Sequence, residues 1–152
     1  MSHISNLKLK FKLVLENEYV RAEVDEKRKL IYIVWLQHPR SEVFRPLFNE
    51  LVKLSQIYQI EYWLSDARAI HYLEFSDQNW LLQDIAPFLK TTTVKKFARV
   101  TTQEGFAMMD VTRIYDTIEQ LADFKVETEF ESFFSMDAAL EWLFDDELNQ
   151  DL

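Results

Sequence analysis

The chain has 152 residues, of which 48% are apolar and 14% aromatic, and its formal net charge is −9. That composition is typical of a single packed domain and excludes a disordered chain. Cysteine is absent, which excludes disulfides, thiolate nucleophiles and cysteine-ligated metal centres.

The sequence contains no apolar run of the length, about 18 residues, that a membrane span requires. Its first ten residues, MSHISNLKLK, also lack the apolar region of a signal peptide. We therefore expect a cytoplasmic protein without a transmembrane segment.

The negative charge is concentrated in the last third of the chain. Residues 116–152 contain twelve acidic residues and one basic residue, Lys125. Such a stretch repels a phosphate backbone, so we expect no nucleic-acid partner. It is either a solvated face or a docking surface for a basic partner, and residues 147–152 are assigned to an acidic C-terminal tail.

Hydrophobic periodicity predicts strands near the N-terminus. Residues 1–18 form an N-terminal segment in which 11–16 can add an edge strand. Residues 19–26 alternate apolar and charged side chains, as in a half-buried strand. Residues 30–36, LIYIVWL, are apolar on both faces, as in a central strand.

Helices and strands alternate in the remainder of the chain. Three more strands are predicted, at 61–67, 95–102 and 126–134. Four helices are predicted, at 41–58, 76–90, 111–121 and 135–144. Ser41, Ser76 and Ser135 are expected to cap three of them, and Pro46 conflicts with the first helix unless it lies in the first turn.

This order predicts a single α/β domain, residues 19–146, with a mixed, mostly parallel sheet of about five strands and about four helices. Ligands of such sheets bind beyond the carboxyl ends of the strands. Those ends carry residues 37–41, 66–76 and 101–105, so we expect any site there.

The motifs of common enzyme classes are missing from the sequence. One glycine, Gly105, cannot supply a phosphate-binding loop, and there is no GxSxG or HExxH motif. The three histidines are far apart and show no metal-ligand spacing. We therefore predict no metal and no cofactor, and we assign no catalytic residue.

The loop after the second buried strand carries the side chains best suited to chemistry, Asp66, Arg68 and His71, and it leads to Ser76. An acid, a base and a nucleophile permit a hydrolytic triad. The alternative is an Asp66–Arg68 pair that fixes the loop and a serine that caps the next helix.

Two places in the sequence are candidates for binding an anion. His38, Arg40 and Ser41 precede the first predicted helix, whose N-terminus favours negative charge, although an ordinary surface loop explains them equally well. The second place is a cluster of basic residues. Its alternative interpretation is a set of solvent-exposed side chains at the start of a strand. Its members are Lys90, Lys95, Lys96 and Arg99.

The four tryptophans fall on or beside apolar faces of predicted elements, so we expect them in the core. An apolar ligand pocket lined by Trp35 and Trp63 is the alternative.

Three stretches carry a family resemblance: YWLSDARAIHYLEFSDQNWL at 62–81, KKFARVTTQEGFAMMDVTRIYD at 95–116 and FFSMDAALEWL at 133–143. They resemble small bacterial STAS-like proteins, relatives of the anti-sigma-factor antagonists of sporulation. The resemblance covers about residues 19–144 and implies a STAS-like α/β fold.

The regulators of this group accept phosphate from a partner kinase on a serine that begins the helix after the second buried strand. The resemblance implies that Ser76 is the equivalent position. This chain departs from the family there, because it has Glu-Phe-Ser-Asp at 74–77 where the regulators carry Asp-Ser-Ser/Thr-Gly.

These features together favour a non-enzymatic interaction or regulatory module that binds a protein partner through residues 66–76. The alternative is a domain that binds a small apolar ligand or a lipid. A homodimer is compatible with either function.

Overall fold

A six-stranded mixed sheet forms the centre of the protein, in a computed structural model that describes residues 7–108, 120 and 126–145. Its strands are β1 (Lys12–Glu16), β2 (Val20–Asp25), β3 (Leu30–Trp35), β4 (Tyr62–Asp66), β5 (Lys96–Val100) and β6 (Glu129–Phe133). They lie side by side in chain order. β2 is antiparallel to both of its neighbours, β1 and β3, and the strands from β3 to β6 are parallel to one another.

The predicted class, an α/β domain with a mixed and mostly parallel sheet, is confirmed. The sheet has six strands because the edge strand predicted at 11–16 is present as β1 and pairs with β2, with a shift in register between Leu13 and Leu15. β2 shows why its residues form a strand: Val20, Ala22 and Val24 are all completely buried, while Arg21 between them is exposed. The period of two places one face on the core and the other towards solvent.

Four helical segments are seen in the described residues. The first is α1 (Ser41–Ile57). The second is continuous and consists of α2 (Phe75–Trp80), a π-helical turn (Leu81–Ile85) and α3 (Ala86–Thr91). The third and fourth are α4 (Gln103–Met108) and α5 (Met136–Leu143). The helix predicted at 111–121 lies outside the described residues, except for Gln120, which is helical. Within the described residues, none of the helices has the length and apolar character that crossing a membrane requires.

The two faces of the sheet are covered by different elements. Ile31, Ile33 and Trp35 of β3 point to the face on which α1 and the α2–α3 segment pack. The alternate residues, among them Leu30, point to the face covered by α5 and by residues 7–11. α1 and α2–α3 share one face because successive right-handed crossovers in one direction place their helices on the same side.

Only one of the three predicted serine caps is present. The Ser135 hydroxyl accepts a hydrogen bond from the Ala138 N–H, with 3.1 Å between the atoms. α1 begins one residue earlier than a Ser41 cap requires, and α2 begins two residues earlier than a Ser76 cap requires, so both serines lie within the first turns and do not cap. Pro46 lies inside α1 rather than in its first turn.

The tryptophans at 35 and 63 are core residues, as expected. Trp35 is 5% exposed and Trp63 is 2% exposed. Trp35 packs against Phe44, with 5.8 Å between ring centroids, and Trp63 stacks on Phe97 at 5.1 Å. These indoles fill the space beneath α1 and do not line an open pocket.

Candidate functional site

The carboxyl ends of β3 and β4 are extended by two irregular segments, residues 36–40 and 67–74. Parallel strands end at the same edge of a sheet, so both segments lie at one end of the molecule. We use the name carboxyl-edge surface for five of the exposed residues at this end, namely Leu36, Arg68, His71, Tyr72 and, in the first turn of α2, Ser76.

The longer segment, 67–74, is anchored at its start. Ala67 donates its N–H to the Val100 carbonyl at 2.8 Å, and Ile70 donates to the Ala67 carbonyl at 3.0 Å. Both of these side chains are buried. The loop therefore has a fixed base from which the side chains of the carboxyl-edge surface project.

His38 connects the two segments. The His71 N–H donates to His38 Nδ1 at 3.3 Å, and the ring centroids of His38 and Tyr72 are 4.7 Å apart. The His71 ring stacks on the other imidazole at 5.9 Å. Since Nδ1 accepts a hydrogen bond, the neutral imidazole carries its proton on Nε2.

The same neighbourhood keeps His38 neutral. Partial burial lowers the pKa of His38 below its ordinary value of 6.5, the nearby His71 lowers it further, and Glu74 opposes the shift. Protonation of Nδ1 would remove the acceptor of the His71 N–H. The junction between the two segments therefore depends on a neutral imidazole.

A buried carboxylate lies beneath this junction. Asp77, in the first turn of α2, is 3% exposed. Its Oδ1 accepts from Arg45 Nε at 2.8 Å, and its Oδ2 accepts from the Ser41 hydroxyl at 2.7 Å. A second carboxylate, Glu74, lies 3.0 Å from the same hydroxyl. These contacts join α1 to α2 and supply the partners that a buried charge needs.

A small cavity lies between the two irregular segments and the first turns of α1 and α2. Its volume is about 60 Å³, and it is lined by residues from both segments and both helices, including His38, Ser41, Tyr72 and Glu74. Such a space has room for one or two water molecules. It is too small for an organic ligand, which occupies roughly 300 Å³ or more.

The predicted Asp66–Arg68 pair is present. Arg68 donates from Nε to Asp66 Oδ1 at 2.9 Å and from Nη2 to Asp66 Oδ2 at 2.7 Å. Asp66 is buried at the end of β4, while Arg68 is exposed. The Asp66–Arg68 pair thus fixes the start of the loop.

The charge of Asp66 also acts on Tyr32 of the neighbouring strand β3. Burial raises the pKa of Tyr32, and the charge of Asp66 raises it further.

A hydrolytic triad of Asp66, His71 and Ser76 is not assembled. No hydrogen bond joins these three described side chains to one another: the aspartate faces Arg68, and the histidine stacks on His38. Catalysis by such a set needs the nucleophile, base and orienting acid within direct hydrogen-bond reach of each other.

The two places predicted to bind an anion have different surroundings from those expected. At the start of α1, Arg40 lies 3.6 Å from Glu42, and the Ser41 hydroxyl faces two carboxylates, which repel a second negative group. In the basic cluster, Lys95 pairs with Glu61 at 2.7 Å and Lys96 pairs with Asp145 at 3.0 Å.

Arg99, predicted as part of the same cluster, is buried on the α1 face of β5, opposite to Lys96. The four basic residues therefore do not form one patch.

Sequence reasoning missed four residues of the site: Arg45, Tyr72, Glu74 and Asp77. Ser41 and Asp77 are 36 positions apart in the chain, and nothing in the local pattern connects them. The placement of Asp77 in the first turn of a helix could be predicted from the sequence, since acidic residues are favoured there. The burial of Asp77 could not be predicted, because it depends on Arg45 from another helix.

Among the described residues, no group of three or more His, Asp or Glu side chains is arranged to hold a metal ion. Comparison of the chain with protein-family models, with curated proteins and with solved structures gives no match.

Proposed function

We propose that this protein is a STAS-like interaction module that binds a protein partner through the carboxyl-edge surface. One observation carries the proposal. Two large apolar side chains, Leu36 and Tyr72, are 50% and 46% exposed at that edge. Tyrosine is among the residues that contribute most to binding at protein interfaces.

The rigidity of the surface supports the same function. The Ala67 and Ile70 backbone bonds, the Asp66–Arg68 pair and the His38–His71 contact all hold the loop that presents Tyr72. A surface that is ordered before binding loses less conformational entropy when a partner docks. Such a loop is suited to recognition without a rearrangement.

The polar groups of the site favour binding over hydrolysis. The Ser41 hydroxyl donates to a carboxylate that Arg45 already neutralises, and no imidazole is bonded to it among the described residues. A serine becomes nucleophilic when an adjacent base removes its proton. Ser41 therefore acts as a structural link between α1 and α2.

The alternative of an apolar-ligand or lipid-binding domain gains no support from the tryptophans. Trp63 stacks between Phe48 and Phe97, with 6.0 and 5.1 Å between ring centroids. Removing such stacking to open a pocket would cost several kcal/mol, roughly the 3–5 kcal/mol of a large-to-small aromatic substitution.

Affinity purification from the source cells, with four tagged proteins, tests the proposal. They are the wild type, Leu36→Ser, Tyr72→Ser and the matched control Ile57→Ser. Ile57 is a larger apolar exposure, at 71%, but it lies at the end of α1 away from the carboxyl-edge surface. We expect one protein to be recovered stoichiometrically with the wild type and with Ile57→Ser.

Tyr72→Ser should weaken binding of that protein by about 2 kcal/mol, roughly thirty-fold in Kd. Equal recovery by Tyr72→Ser and the wild type, or loss of recovery with Ile57→Ser, would contradict the proposed surface. Far-ultraviolet circular dichroism of each variant confirms that its fold is intact.

Ser76 is an exposed residue of the same surface. If it is the equivalent of the family's phosphorylated serine, as the resemblance implies, added negative charge should change partner affinity. Ser76→Asp is then expected to weaken recovery in the same assay, while Ser76→Ala leaves it unchanged.

A further inference from the structure

A second cavity lies at the opposite end of the sheet. It has a volume of about 320 Å³ and is lined by Lys8, Lys10, Asp25, Lys27 and Arg28. Asp25 ends β2, the basic pair at 27–28 belongs to the turn before β3, and the first two lysines come from the N-terminal segment. We refer to this cavity as the amino-edge pocket.

A buried carboxylate fixes the walls of the amino-edge pocket. Asp25 is 2% exposed. Its Oδ2 accepts from the Lys10 backbone N–H at 3.0 Å, and its Oδ1 accepts from the Arg28 backbone N–H at 2.9 Å. Arg28 in turn donates from Nη1 to the Lys8 carbonyl at 3.2 Å. The lysines are thus held in place through the backbone.

The N-terminal segment is held on the core by its apolar side chains. Leu7 and Leu9 pack beneath α5, and the Leu9 N–H donates to the Leu7 carbonyl at 2.6 Å, which makes a tight turn centred on Lys8. Lys8 and Lys10 are exposed and line the amino-edge pocket.

Four other lysines in the described part of the chain, Lys12, Lys29, Lys95 and Lys96, each pair with a carboxylate. The side chains of Lys8, Lys10 and Lys27 make no ion pair or hydrogen bond with any described residue. The one carboxylate that lines the pocket, Asp25, already accepts a backbone N–H with each of its oxygens. The pocket thus brings three ammonium groups together around a carboxylate whose oxygens are already hydrogen-bonded.

We propose that the amino-edge pocket binds the phosphate group of a small molecule. Lysine is a common phosphate ligand, as a point charge with three rotatable donors. The volume is at the lower end of the range for organic ligands, about 300–1,000 Å³. The aliphatic stems of the lysines supply an apolar wall for the organic part. This site is independent of the carboxyl-edge surface.

NMR titration of the full chain with ribose 5-phosphate, inorganic phosphate and ribose tests the proposal. The backbone amides of Lys10 and Arg28 are the reporters, since both donate to Asp25. We expect saturable shifts with ribose 5-phosphate and none with ribose. Tighter binding of ribose 5-phosphate than of inorganic phosphate identifies an organic phosphate, whereas equal binding identifies the free anion.

Charge-matched variants separate a built site from general attraction. Lys8→Gln/Lys27→Gln should weaken binding about tenfold or more, because each lysine removed takes away a charge-assisted hydrogen bond to the phosphate. The control Lys53→Gln/Lys90→Gln removes the same charge from helices outside the pocket, and it should change the Kd less than about twofold. Absence of saturable shifts at 10 mM ligand (about 5.5 kcal/mol weaker than micromolar binding), or an equal loss in the control, overturns the proposal.

Discussion

Gly105 lies in α4 at a point where the helix closely approaches the end of β5. A Cβ at this position would be 2.7 Å from Thr101 Oγ1 and 3.2 Å from Thr102 Oγ1. The Thr102 hydroxyl also accepts the Gly105 N–H at 2.9 Å, and Thr101 is completely buried. Close packing, and not a special backbone angle, therefore requires glycine here.

We expect Gly105→Ala to lower the free energy of unfolding by about 1–3 kcal/mol, the usual cost of forcing an extra carbon into a packed site. Urea denaturation measures the change. Thr101→Ala removes the closest atom, so the added cost of Gly105→Ala should be smaller in that background. A Gly105→Ala protein as stable as the wild type would show that α4 packs less tightly.

His38 is the residue through which pH acts on the carboxyl-edge surface. Its lowered pKa means that the folded protein takes up this proton only below the ordinary value of 6.5. The unfolded chain takes it up near 6.5, so stability falls as the pH drops from 6.5 through the folded pKa of His38.

NMR titration should show the His38 ring with a midpoint below 6.5, and the His71 amide should shift with the same midpoint as its acceptor is lost. In His38→Asn, whose side-chain oxygen can still accept a hydrogen bond, we expect the acid-dependent shift of that amide to disappear. Independent midpoints for the ring and the amide would contradict the coupling.

At the scale of elements, Ser135 and Ser76 form a matched pair. Both are exposed serines at the start of a helix. Ser135 caps α5 and Ser76 caps nothing, so Ser135→Ala should cost about 1 kcal/mol of stability and Ser76→Ala less than about 0.5 kcal/mol. Thermal unfolding of the two variants compares them directly, and equal losses would contradict the assignment of the cap.

The order and type of most described elements were predictable because the hydrophobic period is strong; α4, at Gln103–Met108, was not predicted. β2 alternates, β3 is apolar on both faces, and α1 shows helical spacing, so each pattern has one structural solution. Helix starts were less predictable. Ser41 and Ser76 were predicted as caps, yet the first helix begins one residue earlier and the second two residues earlier, with Arg40 and Glu74 in the cap positions.

The candidate site was predictable in place but not in composition. Because parallel strands end at the same edge of a sheet, the site could be predicted at the carboxyl edge. The Asp66–Arg68 pair could also be predicted, since the two residues are only two positions apart in the chain. The His38–His71 contact spans 33 positions and the Arg45–Asp77 contact spans 32. Such pairs depend on how two crossovers bring their loops together, which local spacing does not encode.

For the whole molecule, two carboxylates of the described residues, Asp25 and Glu61, contribute to the dependence of stability on low pH. Burial tends to raise the pKa of Asp25, but the backbone N–H groups of Arg28 and Lys10 outweigh it and lower the pKa below 3.8. The hydrogen bond from Lys95 lowers the pKa of Glu61 below its ordinary 4.5. Both groups stabilise the fold above those ordinary values, and this stabilisation is lost as the pH falls through the folded pKa.

We therefore expect the free energy of unfolding to fall between pH 5 and pH 3, because the unfolded chain takes up protons at these two carboxylates at a higher pH than the folded protein does. Urea denaturation across this range measures it. Asp25→Asn and Glu61→Gln should each be less stable than the wild type at pH 5 and show a shallower decline. A decline as steep as that of the wild type in both variants would place the acid sensitivity elsewhere.

The order of the strands in the sheet also bears on how the protein is made. Because β1 to β6 lie in chain order, each strand leaves the ribosome when its neighbour on one side has already been synthesised. No strand has to enter between two that are already paired. During translation the sheet can grow by one strand at a time from its antiparallel end. At each stage the next strand pairs with the free edge of the strand that was added last.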